Sequence, residues 1–166
     1  MNIPQCTIKD NYLLFLRGPF SNFAFAGFEY KGVTFLYTEN AFMYAKALHF
    51  NDKATMKLLE NTQLQPIQAK QLGRKVSNYN DASWEQVRYN YMLEINRQKY
   101  TIPKYRDYLL ATKELTLVEC NPNDKIWGVG LEEDDPRATD PSQWNGRNLL
   151  GEVLMQIRNE IRQGLL

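Results

Sequence analysis

The pattern of apolar and polar positions predicts four short strands, two of them in a hairpin. Residues 12–16 form an unbroken apolar run, which is typical of a buried strand. Residues 28–35 alternate between apolar and polar side chains around Lys31-Gly32, so we predict a short hairpin there. Residues 115–120 alternate in the same way and are followed by the turn residues Asn121-Pro122-Asn123. The strands are few and short, so any sheet is small.

Apolar residues recur at helical spacing in most of the remaining chain. Thr38 as N-cap and Glu39 in the first turn begin a helix that reaches about residue 50. Gly73 is expected just beyond the end of another helix, as a C′ glycine. Residues 131–145 are polar, acidic and rich in turn residues, which predicts a surface loop. The other helices are predicted over residues 52–60, 66–73, 81 or 83 to about 99, 103–110 and 149–162.

Length and composition are those of an ordinary globular domain. The chain has 166 residues, of which 43% are hydrophobic, and it shows no repeat and no linker. We therefore predict a single compact α+β domain over residues 1–166, rich in helices and with a small sheet. The longest apolar run is far shorter than the roughly 18 residues that a membrane span needs. No signal peptide is apparent, so we expect a cytoplasmic protein without membrane contact.

Several kinds of chemistry are disfavoured by the residue inventory. One histidine, His49, and two distant cysteines, Cys6 and Cys120, argue against a zinc site and against a histidine-based nucleophile. We expect the histidine to pack and the thiols to stay reduced. The 20 Lys and Arg residues balance 19 Asp and Glu residues, which gives no electrostatic basis for avid nucleic-acid binding. Carboxylates, Lys, Arg and aromatic rings are left to carry any chemistry.

Glu39 and Lys46 are the first candidate pair. They lie seven residues apart, about 700° round a helix and about 10.5 Å along it, which returns them to nearly the same face. That face can hold a ligand between a carboxylate and an ammonium group, and the helix dipole helps to keep a first-turn acid ionised. The alternative is a solvated helix face with an ordinary first-turn acid. Spacing alone leaves both open.

A second candidate site is the loop of residues 17–23. Phe20 and Phe23 flank Ser21 and Asn22, so that aromatic walls stand beside hydroxyl and amide groups. Such a set suits a planar heterocycle or a sugar phosphate. The alternative is a connection whose phenylalanines enter the core.

A third candidate site surrounds the turn after the last predicted strand. Glu119 and Asp124 precede Trp127, and the next residues read Gly128-Val129-Gly130. Glycines let a ligand approach the backbone closely, but the third glycine of a dinucleotide fingerprint is missing. Trp127 can stack on a base or fill the core, and the sequence favours neither.

The order and spacing of these motifs resemble the NADAR family, also called YbiA-like, over about residues 15–158. No single motif is specific to the family, but the order and spacing of all of them in one chain of this size are a strong signal. The residues that carry the resemblance are Phe20-Ser21-Asn22-Phe23, Tyr30-x-Gly32, Glu39-x-x-Phe42-x-x-x-Lys46-Ala47, Ala69-x-x-Leu72-Gly73-Arg74, Trp84, Arg88, Leu117-Val118-Glu119, Asp124-x-x-Trp127-Gly128-x-Gly130, Gly146-x-Asn148-x-Leu150-Gly151 and Leu154-Met155-x-x-Arg158.

The resemblance implies a helix-rich α+β fold and N-glycosidase activity without metal or cofactor. Family members hydrolyse a ribose C1′–N bond, in ADP-ribose attached to guanine bases of nucleic acid or in phosphoribosylated aminouracil intermediates of riboflavin synthesis. The family's acid maps onto Glu39 and its helix lysine onto Lys46. The chain departs from many members at Asn40, where they have His, and in a longer, more acidic segment at 131–145. The second departure bears on the substrate more than on the activity.

The activity that the resemblance implies leads to a hypothesis for the role of each candidate residue. Glu39 stabilises an oxocarbenium-like state and activates water, as carboxylates do in other glycosidases. Release of ADP-ribose from guanine is favoured slightly over the riboflavin intermediate. A non-catalytic module that binds ADP-ribose or a nucleotide is the alternative. Asp124 or Glu119 is the second acid or binds the ribose hydroxyls, and Lys46 and Arg74 bind phosphate. Phe20 and Trp127 stack on the two faces of a ring, and Ser21 and Asn22 bind its edge. Phe23 and Gly128 line the site.

Overall fold

The computed structural model describes residues 2–166. They form the predicted α+β fold, with the six predicted α-helices and with five short strands, one more than predicted. The strands are β1 (Cys6–Lys9), β2 (Tyr12–Phe15), β3 (Phe25–Tyr30), β4 (Val33–Tyr37) and β5 (Thr116–Glu119). The helices are α1 (Thr38–His49), α2 (Lys53–Leu59), α3 (Pro66–Gly73), α4 (Asp81–Lys99), α5 (Pro103–Ala111) and α6 (Leu149–Arg162).

The chain divides into two compact units. The first consists of the residues up to Ser21 together with Tyr100–Leu166, and the second is the continuous segment Asn22–Lys99. The first unit contains β1, β2, β5, α5 and α6, and the second contains the β3–β4 hairpin and α1 to α4. A single domain over residues 1–166 stays a prediction.

The sheet of the first unit has the order β1-β2-β5. Strand β1 pairs with β2 in antiparallel orientation, and β5 pairs with β2 in parallel. Leu13, Leu14 and Phe15 of the middle strand are all buried, so both faces of β2 are covered. This explains why residues 12–16 read as a continuous apolar run instead of an alternating one. Strand β1, whose residues are mostly exposed, has no such pattern and was not predicted individually.

Asn148 joins β5 to the start of α6. Its side-chain Oδ1 accepts the backbone N–H of Glu119 at 3.0 Å, and its Nδ2 donates to the carbonyl of Leu117 at 2.9 Å. A side chain on Gly151 would overlap the same carbonyl and the Asn148 amide. These contacts explain the Asn148 and Gly151 motif as a structural one. Near the other end of α6, Arg158 donates to Thr112 Oγ1 and to the Leu115 carbonyl, both at 2.8 Å.

The segment 131–145 differs from the predicted surface loop. It contains two short 3₁₀ helices, Pro136–Thr139 and Pro141–Gln143, each capped by an aspartate. Leu131 and Ala138 are buried in a cluster with Leu14, Val118, Cys120 and Val129, and Trp144 packs against it. The sequence does not reveal these buried residues, because they are few and are separated from one another by acidic and turn residues.

Helix α1 packs against α2, α3, α4 and β4 in the second unit. Nine of its twelve residues are buried, which no amphipathic stripe predicts. Asp52 caps α2 as expected, because its Oδ1 accepts the Thr55 N–H at 3.0 Å.

Two local predictions in the second unit were wrong. Thr38 is the first residue of α1 and its side chain does not cap the helix. Gly73 is the last residue of α3, with Arg74 as the C-cap, and it does not adopt positive φ. A Cβ at Gly73 would overlap Met43 Sδ, so this glycine is needed for the close packing of α3 on α1.

Candidate active site

Glu39 lies in the first turn of α1 and is only 8% exposed. The hairpin strand β4 ends at Tyr37 and α1 begins at the next residue, so the acid is held at a rigid junction. Its backbone N–H donates to the carbonyl of Asn22 at 3.0 Å. A carboxylate at this end of a helix is stabilised by the helix dipole. The burial contradicts the alternative of a solvated helix face.

Lys46 lies two turns further along α1 and is half-buried. Burial lowers the pKa of its ammonium group, and the negative charges of Glu39 and Asp81 act against this shift. The positive charge of Arg74 lowers the pKa further. The Lys46 Nζ also lies 4.4 Å from the centre of the Tyr79 ring. Glu39, Lys46 and Arg74, three predicted site residues, are therefore electrostatically coupled within the second unit.

Tyr79 adds an aromatic ring that sequence reasoning did not assign to the site. Its hydroxyl donates to Asp81 Oδ1 at 2.7 Å, and its ring meets Phe50 edge to face at 5.3 Å. The ring is held in place by these contacts and by Lys46, yet the residue is 44% exposed. An aromatic group that is both fixed and accessible can contact a ligand.

Asn22 is the member of the 17–23 loop that the structure brings to Glu39. In addition to the carbonyl contact, its side-chain Nδ2 lies 3.5 Å from Met92 Sδ on α4. Its buried Oδ1 has no hydrogen-bond partner among residues 2–166. A buried amide oxygen without a partner is costly in an apolar setting, and it is available to a ligand donor. Phe23, the next residue, is partly exposed.

Phe20 and Ser21 belong to the first unit. The Phe20 ring is fully buried and packs edge to face on Phe15, with ring centres 5.7 Å apart. Ser21 is buried, and its backbone N–H donates to the Gly18 carbonyl at 3.2 Å. The burial of Phe20 favours the core role that the sequence left open, over a role in contacting a ring.

The turn that holds Asp124 and Trp127 is built from the chain's own hydrogen bonds. Asp124 Oδ1 accepts the backbone N–H groups of Ile126 and Trp127 at 2.9 and 2.8 Å. The carbonyls of residues 125–128 accept the N–H groups of residues 147–150. The turn therefore caps the N-terminus of α6, and Asp124 has a structural role whatever else it does. The Trp127 side chain is half-buried.

Gly128 and Glu119 meet in the same turn. A Cβ on Gly128 would lie 3.0 Å from the carbonyl oxygens of both Asp124 and Glu119, so the close approach that requires glycine is made by the chain itself. Glu119 ends β5 and is almost fully buried. Its carbonyl accepts the Val129 N–H at 2.9 Å. The four predicted residues of this turn are thus neighbours in the first unit.

Arg88 is a second residue that the sequence did not assign to the site, although it belongs to the family motifs. It is buried on α4, one turn beyond Trp84, whose ring packs on Phe42 of α1 with centres 5.3 Å apart. The available signal was spacing: Asp81, Trp84 and Arg88 repeat the acid, aromatic and base pattern of Glu39, Phe42 and Lys46. The two helices contact through these matching faces.

Neither a metal cluster nor a membrane helix is found in the part of the chain that the structure describes. Over residues 2–166, no three His, Cys, Asp or Glu side chains are grouped so that they could hold a metal ion. No helix in the same range is long and apolar enough to cross a membrane. On α1, the buried acid Glu39 is coupled to the cation Lys46, and Arg74 at the end of α3 adds a second positive charge. The two cations make this arrangement suited to an anionic ligand.

Comparison with known proteins identifies the family. The family model described as the NADAR domain matches residues 15–162. The chain is 39% identical over 126 residues to N-glycosidase R617 of Acanthamoeba polyphaga mimivirus, covering 75% of this chain and 74% of the relative. It is 37% identical over 160 residues to protein irg-1 of Caenorhabditis elegans, covering 86% and 74%. The chain belongs to the NADAR family.

A solved structure agrees with this assignment. N-glycosidase YbiA of Escherichia coli is 30% identical over 145 residues, which are 87% of this chain and 81% of the relative. The NMR structure of YbiA superposes with a TM-score of 0.74 at 28% identity, covering 98% of this chain and 91% of that one. The α+β fold and the family resemblance predicted from sequence are thereby confirmed.

Proposed function

We propose that this protein is an N-glycosidase that hydrolyses a ribose C1′–N bond. The observation that carries the proposal is the α1 face, where the nearly buried Glu39 is electrostatically coupled to the half-buried Lys46. Two relatives named N-glycosidases support it. A carboxylate and a cation on a rigid helix are the groups that a charged sugar substrate and a cationic transition state need.

In the proposed reaction, the C1′–N bond breaks with its electron pair leaving on nitrogen, and C1′ takes on oxocarbenium character. The Glu39 carboxylate stabilises this positive charge. A water oxygen then bonds to C1′ as Glu39 accepts one of its protons. The leaving nitrogen takes up a proton, which balances the proton that Glu39 accepted, so the products are a base or amine with its N–H restored, still within the strand when the substrate is a nucleic acid, and a ribose with a C1′ hydroxyl. Lys46 and Arg74 bind the phosphate of the substrate.

The preferred substrate class is ADP-ribose attached to guanine, and the phosphoribosylated aminouracil is the second. The unpartnered amide oxygen of Asn22 supports a ligand that carries N–H donors, which both leaving groups have. Asp124 or Glu119 as second acid stays a prediction, as does independence of metals.

Glu39→Gln tests the proposal. We expect turnover to fall by about 10²- to 10⁴-fold, the usual effect of removing a general base, because the amide neither accepts a proton nor stabilises positive charge. The wild type and the variant are incubated separately with ADP-ribosylated DNA and with the aminouracil ribotide, and mass spectrometry identifies the products. Reaction in H₂¹⁸O is expected to place the label on the released ribose.

Glu29→Gln is the matched control, because Glu29 is an exposed acid on β3 of the same unit. We expect it to react like the wild type. Near-normal turnover by a folded Glu39→Gln variant would remove Glu39 from the mechanism. Tight binding of ADP-ribose without cleavage of any substrate would support the alternative, a non-catalytic binding module.

A further inference from the structure

Arg88 is a buried cation with few partners. It is only 5% exposed. Its Nη2 lies 3.3 Å from Glu85 Oε1 on the preceding turn, and this acid is itself more than half exposed. The Arg88 Nε has no acceptor among residues 2–166. A guanidinium group has five N–H donors, and leaving one buried and unsatisfied is costly unless a ligand supplies the acceptor.

The position of Arg88 on α4 directs it toward the candidate active site. Trp84 and Arg88 are four residues apart and share a helix face, and the Trp84 ring packs on Phe42, which lies between Glu39 and Lys46 on α1. At the start of α4, the negative charge of Asp81 acts on Lys46. The face of α4 that carries Arg88 is therefore the face that covers the Glu39 and Lys46 side of α1.

Two positively charged groups, those of Lys46 and Arg88, act on Tyr79. The Lys46 Nζ lies against its ring. Burial and the hydrogen bond to Asp81 raise the pKa of the Tyr79 hydroxyl, and the positive charge of Arg88 acts in the opposite direction. Arg88 is thus close enough to Tyr79 to act on its titration. Because Tyr79 is exposed to solvent, a ligand can enter beside its ring, next to the Lys46 ammonium group and within range of the Arg88 charge.

We propose that Arg88 binds a phosphate group carried by the ribose of the substrate, with Lys46 as the second cation. This inference rests on the proposed function and identifies the ribose phosphate as the part of the substrate that Arg88 binds. A guanidinium group binds phosphate through two parallel N–H bonds, which an ammonium group cannot do. Because Arg88 is buried, it selects the 5-phosphate group of the substrate's ribose, which both proposed substrates carry, over the backbone phosphates of a nucleic-acid strand.

Calorimetric titration with ribose 5-phosphate tests the inference without requiring turnover. We expect Arg88→Met to weaken binding by about 10- to 100-fold, the effect of losing hydrogen bonds to a charged group. Arg88→Lys keeps the positive charge but cannot donate two parallel N–H bonds, so we expect it to bind ribose 5-phosphate with intermediate affinity. Lys57→Met, which removes an exposed cation of the same unit, is expected to match the wild type. Ribose without phosphate is expected to bind weakly to all variants.

Glu85→Gln separates ligand binding from a purely structural ion pair. If Arg88 serves only to pair with Glu85, Glu85→Gln lowers the affinity as much as Arg88→Met does, and the inference is wrong. If Arg88 binds phosphate, Glu85→Gln leaves the affinity unchanged or raises it. Since Arg88→Met can impair folding, circular dichroism accompanies each titration, and Arg88→Lys and Glu85→Gln carry the test in that case.

Two further results complete the design. Equal binding of ribose and ribose 5-phosphate by the wild type, or equal binding of ribose 5-phosphate by the wild type and Arg88→Met, would overturn the inference. The binding of an unmodified single-stranded oligonucleotide is expected not to depend on Arg88, and a loss as large as that for ribose 5-phosphate would contradict selection of the ribose phosphate over backbone phosphates. If no substrate is cleaved but ribose 5-phosphate binds as expected, the proposed activity fails and the phosphate site stands.

Discussion

Burial sets the chemistry of two lysines on the helices of the second unit. Lys46 is half-buried beside Glu39, and its pKa is lowered by desolvation and partly restored by negative charge. Lys99, at the end of α4, is fully buried, and desolvation lowers its pKa to about 7. The ammonium form of Lys99 is therefore unfavourable in the folded protein near neutral pH.

Lys99→Met is expected to stabilise the protein more at pH 6 than at pH 10. In the unfolded chain Lys99 binds its proton up to a pKa near 10.5, while in the folded chain it releases the proton above about 7. The unfolded state then binds more protons between pH 7 and 10.5, so the contribution of Lys99 to stability rises with pH across this window. Urea unfolding of both proteins at pH 6, 8 and 10 measures the difference.

Lys53→Met is the control for this experiment because Lys53 is exposed on α2. Its effect on the free energy of unfolding is expected to be small and constant over the same pH range. A gain from Lys99→Met that does not change with pH would show that packing, and not desolvation of the charge, determines the effect.

The junctions between helices explain several of the motif residues at the level of elements. Helices α1 and α4 meet through matching faces, in which Phe42 and Trp84 make the contact. Helices α1 and α3 meet where Gly73 lies against Met43. The contact between α1 and α4 brings Asp81 near Lys46. The contact between α1 and α3 determines how closely α3, with Arg74 at its end, approaches α1.

Gly73→Ala is expected to destabilise the protein by about 1–3 kcal/mol, although alanine is the better helix former. The added methyl group overlaps Met43 Sδ and comes within 2.9 Å of Met43 Cγ, so the Met43 side chain must change its rotamer or the helices must move apart. Met43→Ala in the same protein makes room for the methyl group. The double variant should therefore lose less than the sum of the two single losses in chemical unfolding.

Gly27→Ala is the matched control, since a Cβ there meets Leu36 Cδ2 only at an ordinary 3.8 Å. Its effect is expected to stay within about 0.5 kcal/mol, as at most surface positions. Additive losses for Met43 and Gly73 would show that the two residues do not share a contact in solution.

Charge is the property of the whole molecule that bears on its substrate. The formal net charge is +1 at pH 7. Of the three cations of the second unit that matter to the proposals, Lys46 and Arg88 are at least half-buried and Arg74 is exposed. A protein of this kind has little general attraction for a polyanion. It recognises a charged substrate through a few placed groups.

The KM for an ADP-ribosylated oligonucleotide is expected to rise by less than about tenfold between 50 and 200 mM salt. A protein that contacts 6–10 backbone phosphates loses roughly 10³- to 10⁵-fold in affinity over this range. ADP-ribosylated guanosine, which has no strand, provides the reference, and the salt dependence of the two substrates should be similar. A much steeper dependence for the oligonucleotide would show that the strand itself is bound.

Most of the fold was predictable from local patterns. Helix α6 has the predicted bounds because its apolar stripe is regular, and Pro66, Asp52 and Lys31-Gly32 mark the ends of elements through their own backbone preferences. Segment 131–145 was not predictable, since its core residues are isolated between turns. The role of Gly73 was missed for a related reason: its partner Met43 is thirty residues away.

For the site, the sequence by itself determined which residue types are available and placed Glu39 and Lys46 on one face of a helix, because helical spacing is a local property. It also identified the family through the order of its motifs. Only the tertiary structure decided that Glu39 and Arg88 are buried, that Phe20 is in the core and that Tyr79 lies beside Lys46. Burial and the meeting of α1 with α4 depend on contacts between distant segments, which no local pattern encodes.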